Sequence, residues 1–297
     1  MSTPGESLGL PVPWPAPGKL NLFLHVVGRR EDGYHLLQTA FQFIDLCDEI
    51  RFWRRPAGVI ERIGEVPGVP PEHDLTLHAA RQLLARSADP EVGVAIEVTK
   101  QLPIQGGVGG GSSDAATALV ALNRLWGLGL STDQLVGIGL ELGADVPVFV
   151  HGRAACAEGV GEVLTPVDFP EAWYVLVRPD ATVGTAEVFK APELTRDSPV
   201  ITIRGFLKAG GRNDCEPVVR RRFLAVAEAL DWLGRIAPAR LTGTGSCVYA
   251  AMPGEAQARA ALAGLPARWA GHVVRGINRS PLAARCELEL DGSGSGR

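Results

Sequence analysis

The sequence predicts an α+β protein built as two domains. Strand-like and helix-like hydrophobic periods are intermixed in both halves of the chain. They do not follow the regular βαβα alternation of a doubly wound sheet. A length of 297 residues suits two domains of ordinary size. The 46% hydrophobic and 21% charged composition is that of a globular chain, which argues against disorder.

From Lys19 to Val27 the chain alternates, with Leu20, Leu22, Leu24 and Val26 on one face and Lys19, Asn21, Phe23 and His25 on the other, as in a strand with one partly polar face. A turn region follows at Asp32, Gly33, Tyr34 and His35, then a strand-like run from Phe41 to Ile44. Between Asp74 and Arg86, Leu75, Ala79 and Leu83 keep helical spacing, and Val92, Val94, Ile96 and Val98 alternate as a strand running into Leu102-Pro103. Beyond the glycines that come next, Leu119, Leu122 and Trp126 mark a helix with Gly127 as its stop. Ser131 and Gln134 form a capping-box pattern opening a helix through Leu135, Ile138 and Leu142 to Gly143. Val146 to Val150 is short and apolar. Pro217 suits a first helical residue, and Val219, Phe223, Val226, Leu230 and Leu233 form a regular apolar stripe ending before Gly234. Leu241 to Met252 reads as strand, glycine turn and strand, followed by an Ala-rich helix over 255–262 and a flexible GSGSGR tail. The seam is placed within 159–170, giving domains 1–160 and 161–290 and a tail over 291–297.

A formal charge of −4 offers no electrostatic footprint for nucleic acid. No apolar run reaches the roughly 18–20 residues that span a bilayer, and the first residues lack a basic, apolar leader. A cytoplasmic protein without membrane partners is expected. The five cysteines, Cys47, Cys156, Cys215, Cys247 and Cys286, are dispersed and show no C-x-x-C pair, so buried, inert thiols are expected. The six histidines form no H-E-x-x-H pattern. A protein-ligated metal centre is not expected.

Glycine is the outlier, at 36 residues of 297 or about 12%, against roughly 7% in an average protein. Five of them, Gly106, Gly107, Gly109, Gly110 and Gly111, fall between Pro103 and Ser112-Ser113-Asp114, where a strand meets a helix. Such a segment lets backbone N–H groups approach an anion at the positive end of a helix. The two serines add hydroxyl donors, and one of them is expected to cap the helix. Neither the Walker pattern nor G-x-G-x-x-G fits residues 106–114.

On these residues the chain resembles the GHMP kinase superfamily, whose P-x-x-x-G-x-G-S-S-type loop binds ATP phosphates. Three blocks are similar in order: Pro17-Gly-Lys19-Leu-Asn21 continuing to Asp32-Gly33-Tyr34-His35, the loop at 103–113, and Leu241-Thr-Gly243-Thr-Gly245-Ser246. Gly143–Phe149, Ala157–Glu162, Phe189-Lys190, Asn213-Asp214 and Ser280-Pro281-Leu282 make it most similar to those members that phosphorylate CDP-methylerythritol in the non-mevalonate route to isoprenoids. The likeness covers all but about the first ten residues and the tail. It implies a ribosomal-protein-S5-domain-2-like N-terminal ATP-binding domain, a ferredoxin-like C-terminal domain, and ATP with Mg²⁺ as cofactors, the metal ligands being unassigned.

The resemblance further implies Lys19 and Asp145 as the catalytic pair and Pro103, Gly106, Gly107, Gly109, Gly110, Gly111, Ser112 and Ser113 as the ATP phosphate site. Asn21 is implied near the transferred group, and Tyr34, His35, Thr185, Phe189 and Lys190 near the cytidine. Gly18 stands where the family usually has Ala, Gln105 where it has Gly, and Asp74-Leu75 where Asn-Leu is common beside the adenine.

These assignments agree with the chemistry. Phosphoryl transfer asks for positioning, charge stabilisation and a carboxylate to take a hydroxyl proton. Asp145 can do the last, and Lys19 can offset charge on the oxygen being phosphorylated. An aromatic face with a histidine partner suits a cytosine ring. Without the resemblance, Asp145 reads as a turn residue, Lys19 as a strand-edge lysine, Tyr34-His35 as turn-flanking core, and Gly243–Ser246 as a tight strand connection. Two other functions stay open at the level of sequence: another small-alcohol kinase of the homoserine or mevalonate type, and a catalytically silent nucleotide-binding relative.

Overall fold

The computed structural model describes residues 6–10, 12–31 and 33–293, with side chains to 288. Asp32 of the turn and the end of the GSGSGR segment lie outside the described residues. In chain order the first half carries β1 (Trp14–Arg29), β2 (His35–Arg54), β3 (Ile60–Ile63), α1 (Leu75–Leu84), β4 (Val94–Thr99), α2 (Gly110–Leu125), α3 (Thr132–Leu142), α4 (Val146–His151), β5 (Ala155–Glu158) and β6 (Val163–Pro166). The second half carries β7 (Trp173–Arg178), α5 (Thr185–Lys190), α6 (Ile203–Ala209), α7 (Glu216–Arg222), α8 (Leu224–Gly234), β8 (Ala239–Leu241), β9 (Val248–Met252), α9 (Glu255–Ala263), β10 (Ala270–Ile277) and α10 (Pro281–Ser293). The class is α+β, as the intermixed periods predict.

β1 and β2 form one long antiparallel hairpin, from Trp14 opposite Ile50 to Arg29 opposite His35. Register shifts after Pro17, Asn21 and Val26 twist it. β2 also pairs with β4, β5 and β10, and β10 passes the sheet on to β7, β9 and β8. The hairpin thus reaches both halves. On one side α1 to α4 cover it through Phe43, Phe52, Leu83, Ile96, Leu119 and Leu122; on the other, Leu24 and Val26 join Val175, Val177, Val226, Leu230 and Leu233. Each such fully buried side chain contributes about 1.5–3 kcal/mol. α10 returns to the first of these cores through Leu282.

Local chemistry sets the helix ends. Asp74 caps α1 by accepting from Thr76 N at 2.9 Å. α3 opens with the expected capping box, Gln134 N donating to Ser131 Oγ at 3.3 Å and Ser131 N to Gln134 Oε1 at 2.9 Å, and stops at Gly143. Two expectations are corrected. Neither serine caps α2: its N-cap is Gly109 at φ 75°, so the helix starts at Gly110 and both serines lie inside its first turn. The apolar stripe from Val219 to Leu233 is carried by two helices, because Phe223 leaves helical geometry at φ −124°, ψ 89°. Cys156, Cys215 and Cys247 are buried as expected, whereas Cys47 and Cys286 are only half-buried; Cys47, Cys156, Cys215 and Cys247 form no disulfide among the described residues. Burial pushes Cys47, Cys215 and Cys247 up to about 12 and Cys156 to about 11, which keeps them protonated.

Candidate active site

Two glycine-rich turns meet at the centre of the molecule. The first, 103–109, joins β4 to α2; the second, 242–247, joins β8 to β9. Cys247 N donates to Gly106 O at 3.1 Å, Ser246 N to Gln105 O at 3.3 Å and Thr242 Oγ1 to Gly107 O at 3.2 Å. Only glycine fits at Gly107, where a Cβ would lie 2.2 Å from Thr242 O. The same holds at Gly109, where φ is positive and a Cβ would meet Phe149 at 2.8 Å. Asn213 braces the second turn, Nδ2 donating to Leu241 O at 2.9 Å and Gly243 O at 2.8 Å.

Against this scaffold β1 sets Lys19, 3% exposed, with Nζ 3.2 Å from Asp145 Oδ2. Nζ also donates to Asn21 Oδ1 at 2.5 Å and Gly107 O at 3.1 Å. Lys19 and its three partners come from β1, the glycine loop and the turn before α4, which joins elements 126 positions apart, from residue 19 to residue 145. Asn21 is held from its other side, Nδ2 donating to Thr39 Oγ1 at 2.9 Å and N to Thr242 Oγ1 at 3.1 Å. A rigid ammonium, itself held by neutral acceptors, therefore faces a carboxylate that is one-third exposed. Such a pair can orient a hydroxyl, accept its proton and offset the charge that develops on oxygen.

Two cavities adjoin here. The larger, about 490 Å³, is lined by Asp74, Leu75, Lys100, Pro103, Gly106, Gly107 and the start of α2. The smaller, about 340 Å³, is lined by Lys19, Asn21, Asp145, Phe189 and Thr244 among others. They share Gly107, Gly109, Ser112 and Thr185. Two ligands could thus meet end to end across the glycine loop.

The residues expected at the site divide as follows. Pro103, Gly106, Gly107, Gly109, Gly110, Gly111 and Ser112 line the larger cavity; Lys19, Asn21, Asp145, Thr185 and Phe189 line the smaller. Ser113 lines neither: it is buried in α2 with no hydrogen-bond partner for its hydroxyl among the described residues. His35 stacks on Phe189 at 5.0 Å between ring centroids and 31°. Tyr34, 66% exposed, and the exposed Lys190 stand outside the lining.

The three departures have local causes. A Cβ on Gly18 would meet Leu102 at 2.8 Å and Ile44 at 2.9 Å, so the bare Cα is what lets these side chains close up. Gln105 holds φ 54°, the one positive value among the described non-glycine residues. Asp74 is committed elsewhere: one oxygen caps α1, and the other accepts from Arg62 Nη1 at 2.9 Å.

Sequence reasoning missed the floor of the larger cavity. Lys100 Nζ pairs with Asp114 Oδ2 at 2.7 Å and with Asp48 Oδ2, while Asp48 Oδ1 accepts from Gln101 N at 2.6 Å and Leu102 N at 2.8 Å. Burial, together with the Asp48 charge, pushes Asp114 up to about 7 against the pull of Lys100. No local pattern links residues 48, 100 and 114, so only the fold brings them together. Among the described residues no cluster of three His, Cys, Asp or Glu side chains could cage a metal ion.

Residues 74–153 match the family model described as GHMP kinases N terminal domain, and residues 201–271 match GHMP kinases C terminal. The chain is 60% identical over 269 residues to 4-diphosphocytidyl-2-C-methyl-D-erythritol kinase of Nitrosococcus oceani, covering 91% of this chain and 96% of that protein. It is 54% identical to the enzyme of the same name from Pseudomonas aeruginosa, covering 92% and 96%. The crystal structure of a 4-(cytidine 5'-diphospho)-2C-methyl-D-erythritol kinase superposes with a TM-score of 0.77 at 32% identity, over 89% of this chain and 99% of that one.

Proposed function

Because the chain belongs to the GHMP kinases, and among them to the 4-diphosphocytidyl-2-C-methyl-D-erythritol kinase family, we propose that it transfers the γ-phosphoryl group of ATP to the 2-hydroxyl of CDP-methylerythritol. The products are the 2-phosphate and ADP, in the non-mevalonate route to isoprenoid precursors. The observation that carries this is the pair of cavities joined at Gly107, Gly109, Ser112 and Thr185, with Lys19 and Asp145 on the acceptor side.

In this reading the larger cavity takes ATP. Its phosphates lie along the backbone N–H groups of 106–111 and the positive end of α2. The smaller cavity takes the alcohol, with the cytidyl group toward Phe189 and His35, and Tyr34 and Lys190 at the rim. Asp145 orients the 2-hydroxyl. An aspartate is a weak base, so the proton passes to its oxygen late, as the new O–P bond forms and the bond to the ADP oxygen breaks. Lys19 offsets the charge on the attacking oxygen, and Asn21 holds Lys19 in place. Bound together with the nucleotide, Mg²⁺ would supply charge neutralisation on its phosphates. Buried thiols at Cys156, Cys215 and Cys247 that form no disulfide among the described residues suit a reducing compartment, and we infer a cytoplasmic enzyme.

The test is Asp145→Asn. Loss of turnover with nucleotide binding retained supports the assignment, and a rate equal to the wild type excludes Asp145 as the base.

A further inference from the structure

Arg196, in the segment after α5, has no role in the reading above, yet its described hydrogen bonds gather His35 and the backbone around Phe189, a residue that lines the smaller cavity. Its Nη2 donates to Phe189 O at 3.0 Å and Ala191 O at 2.7 Å, and its Nη1 to Leu194 O at 3.0 Å. Its Nε donates to His35 Nε2 at 3.1 Å. The guanidinium, 161 positions from His35, therefore ties the first residue of β2 to the end of α5 and sets the ring pair of His35 and Phe189.

A guanidinium has only donors. His35 Nε2 must then present its lone pair to Arg196, which leaves the ring neutral and its single proton on Nδ1. The charged groups acting on His35 support this form. Burial first, and then the cationic Arg196 and, from β1, Arg29, lower its proton affinity. α5 presents the uncharged Phe189.

We propose that Arg196 is a positioning residue for the nucleoside half of the substrate: it fixes His35 as a neutral ring with an N–H donor at Nδ1, and anchors the backbone that carries Phe189. The pair then offers a pyrimidine one apolar face and one donor of fixed direction, which suits the acceptor atoms of a cytosine edge. This rests on the smaller cavity being the cytidyl site.

The test joins spectroscopy to kinetics on the full chain. In ¹⁵N-labelled wild type, multiple-bond imidazole spectra between pH 6 and 8, assigned with a His35→Asn control, should show Nδ1 protonated and Nε2 bare throughout. Arg196→Met should move the protonation of His35 to higher pH and let the neutral ring populate both tautomers. Its KM for CDP-methylerythritol should rise about tenfold at pH 8, the scale of one lost hydrogen bond, with kcat within about twofold. The rise should shrink at pH 6, where the imidazolium regains a proton on Nδ1. Arg196→Lys, which keeps one donor, should fall between the two. A protonated Nε2 in wild type overturns the proposal even if Arg196→Met fails to fold. So does an unchanged KM, or a KM raised equally at both pH values. A wild type that phosphorylates free methylerythritol as well as its cytidyl derivative refutes the cytidyl reading instead.

Discussion

The pairing of Lys19 with Asp145 is a residue-scale arrangement with separable consequences. Asp145 lines the smaller cavity beside Lys19; on the proposed function, Asp145→Asn should lower kcat by about 10²–10⁴, the usual worth of a general base, while ATP affinity measured by calorimetry stays within about twofold. Gly109→Ala should do a different kind of damage. Its Cβ would need φ near +75° and would press on Phe149 at 2.8 Å and Lys19 Cε at 3.1 Å. We expect a loss of about 1–3 kcal/mol in urea unfolding, with kcat/KM down at least about tenfold. Asp114 adds a pH signature. Its folded carboxyl is pushed up to about 7 by burial, whereas the unfolded one is an ordinary carboxylate. Below the ordinary range both states are protonated and the cost is absent. As pH rises the unfolded state ionises first, so the cost grows and is complete above about 7. The gap in Tm between Asp114→Asn and wild type should therefore widen in favour of the variant from pH 4 to 7.5; a constant gap would contradict the shift. Glycine density made the loop and its neighbours visible in sequence. The residues beneath it were not, because Asp48, Lys100 and Asp114 acquire meaning only when β2, the end of β4 and α2 pack together.

Elements announce themselves through ends and periods, and here the ends were the better guide. Ser131 and Gln134 predict the start of α3, and both reciprocal bonds form. Since the box is exposed and lines neither cavity, Ser131→Ala should cost about 1 kcal/mol in denaturant unfolding and leave kcat unchanged. The hydrophobic period misled at Phe223, since α7 and α8 keep their apolar residues on a common core while the backbone between them breaks. At α2 the serines suggested a cap one turn too late, because a glycine with positive φ can begin a helix without any side-chain acceptor. Short strands such as β3, β5 and β6, four residues each, carry too few residues for alternation to register.

At the scale of the whole molecule, the intermixed periods were enough for the class, but the sheet order was not. β2 pairs with four other strands, and its contacts with β5 and β10 join segments more than a hundred positions apart. No local pattern encodes such pairings, yet they decide where the smaller cavity lies. The long hairpin carries Lys19, Asn21 and His35, and the two halves of the chain close on it, one bringing the glycine loop and Asp145 and the other Thr185, Phe189 and Thr244. The central claim is that these two faces hold a nucleotide and a cytidylated alcohol at the same time. The most direct measurement is incubation of the full chain with ATP, Mg²⁺ and CDP-methylerythritol, with phosphorus and carbon NMR assigning the product. The account predicts ADP and a new phosphate on the 2-oxygen, formed far faster than on methylerythritol lacking the cytidyl group. Phosphorylation at another hydroxyl, or equal rates on the two alcohols, would contradict it.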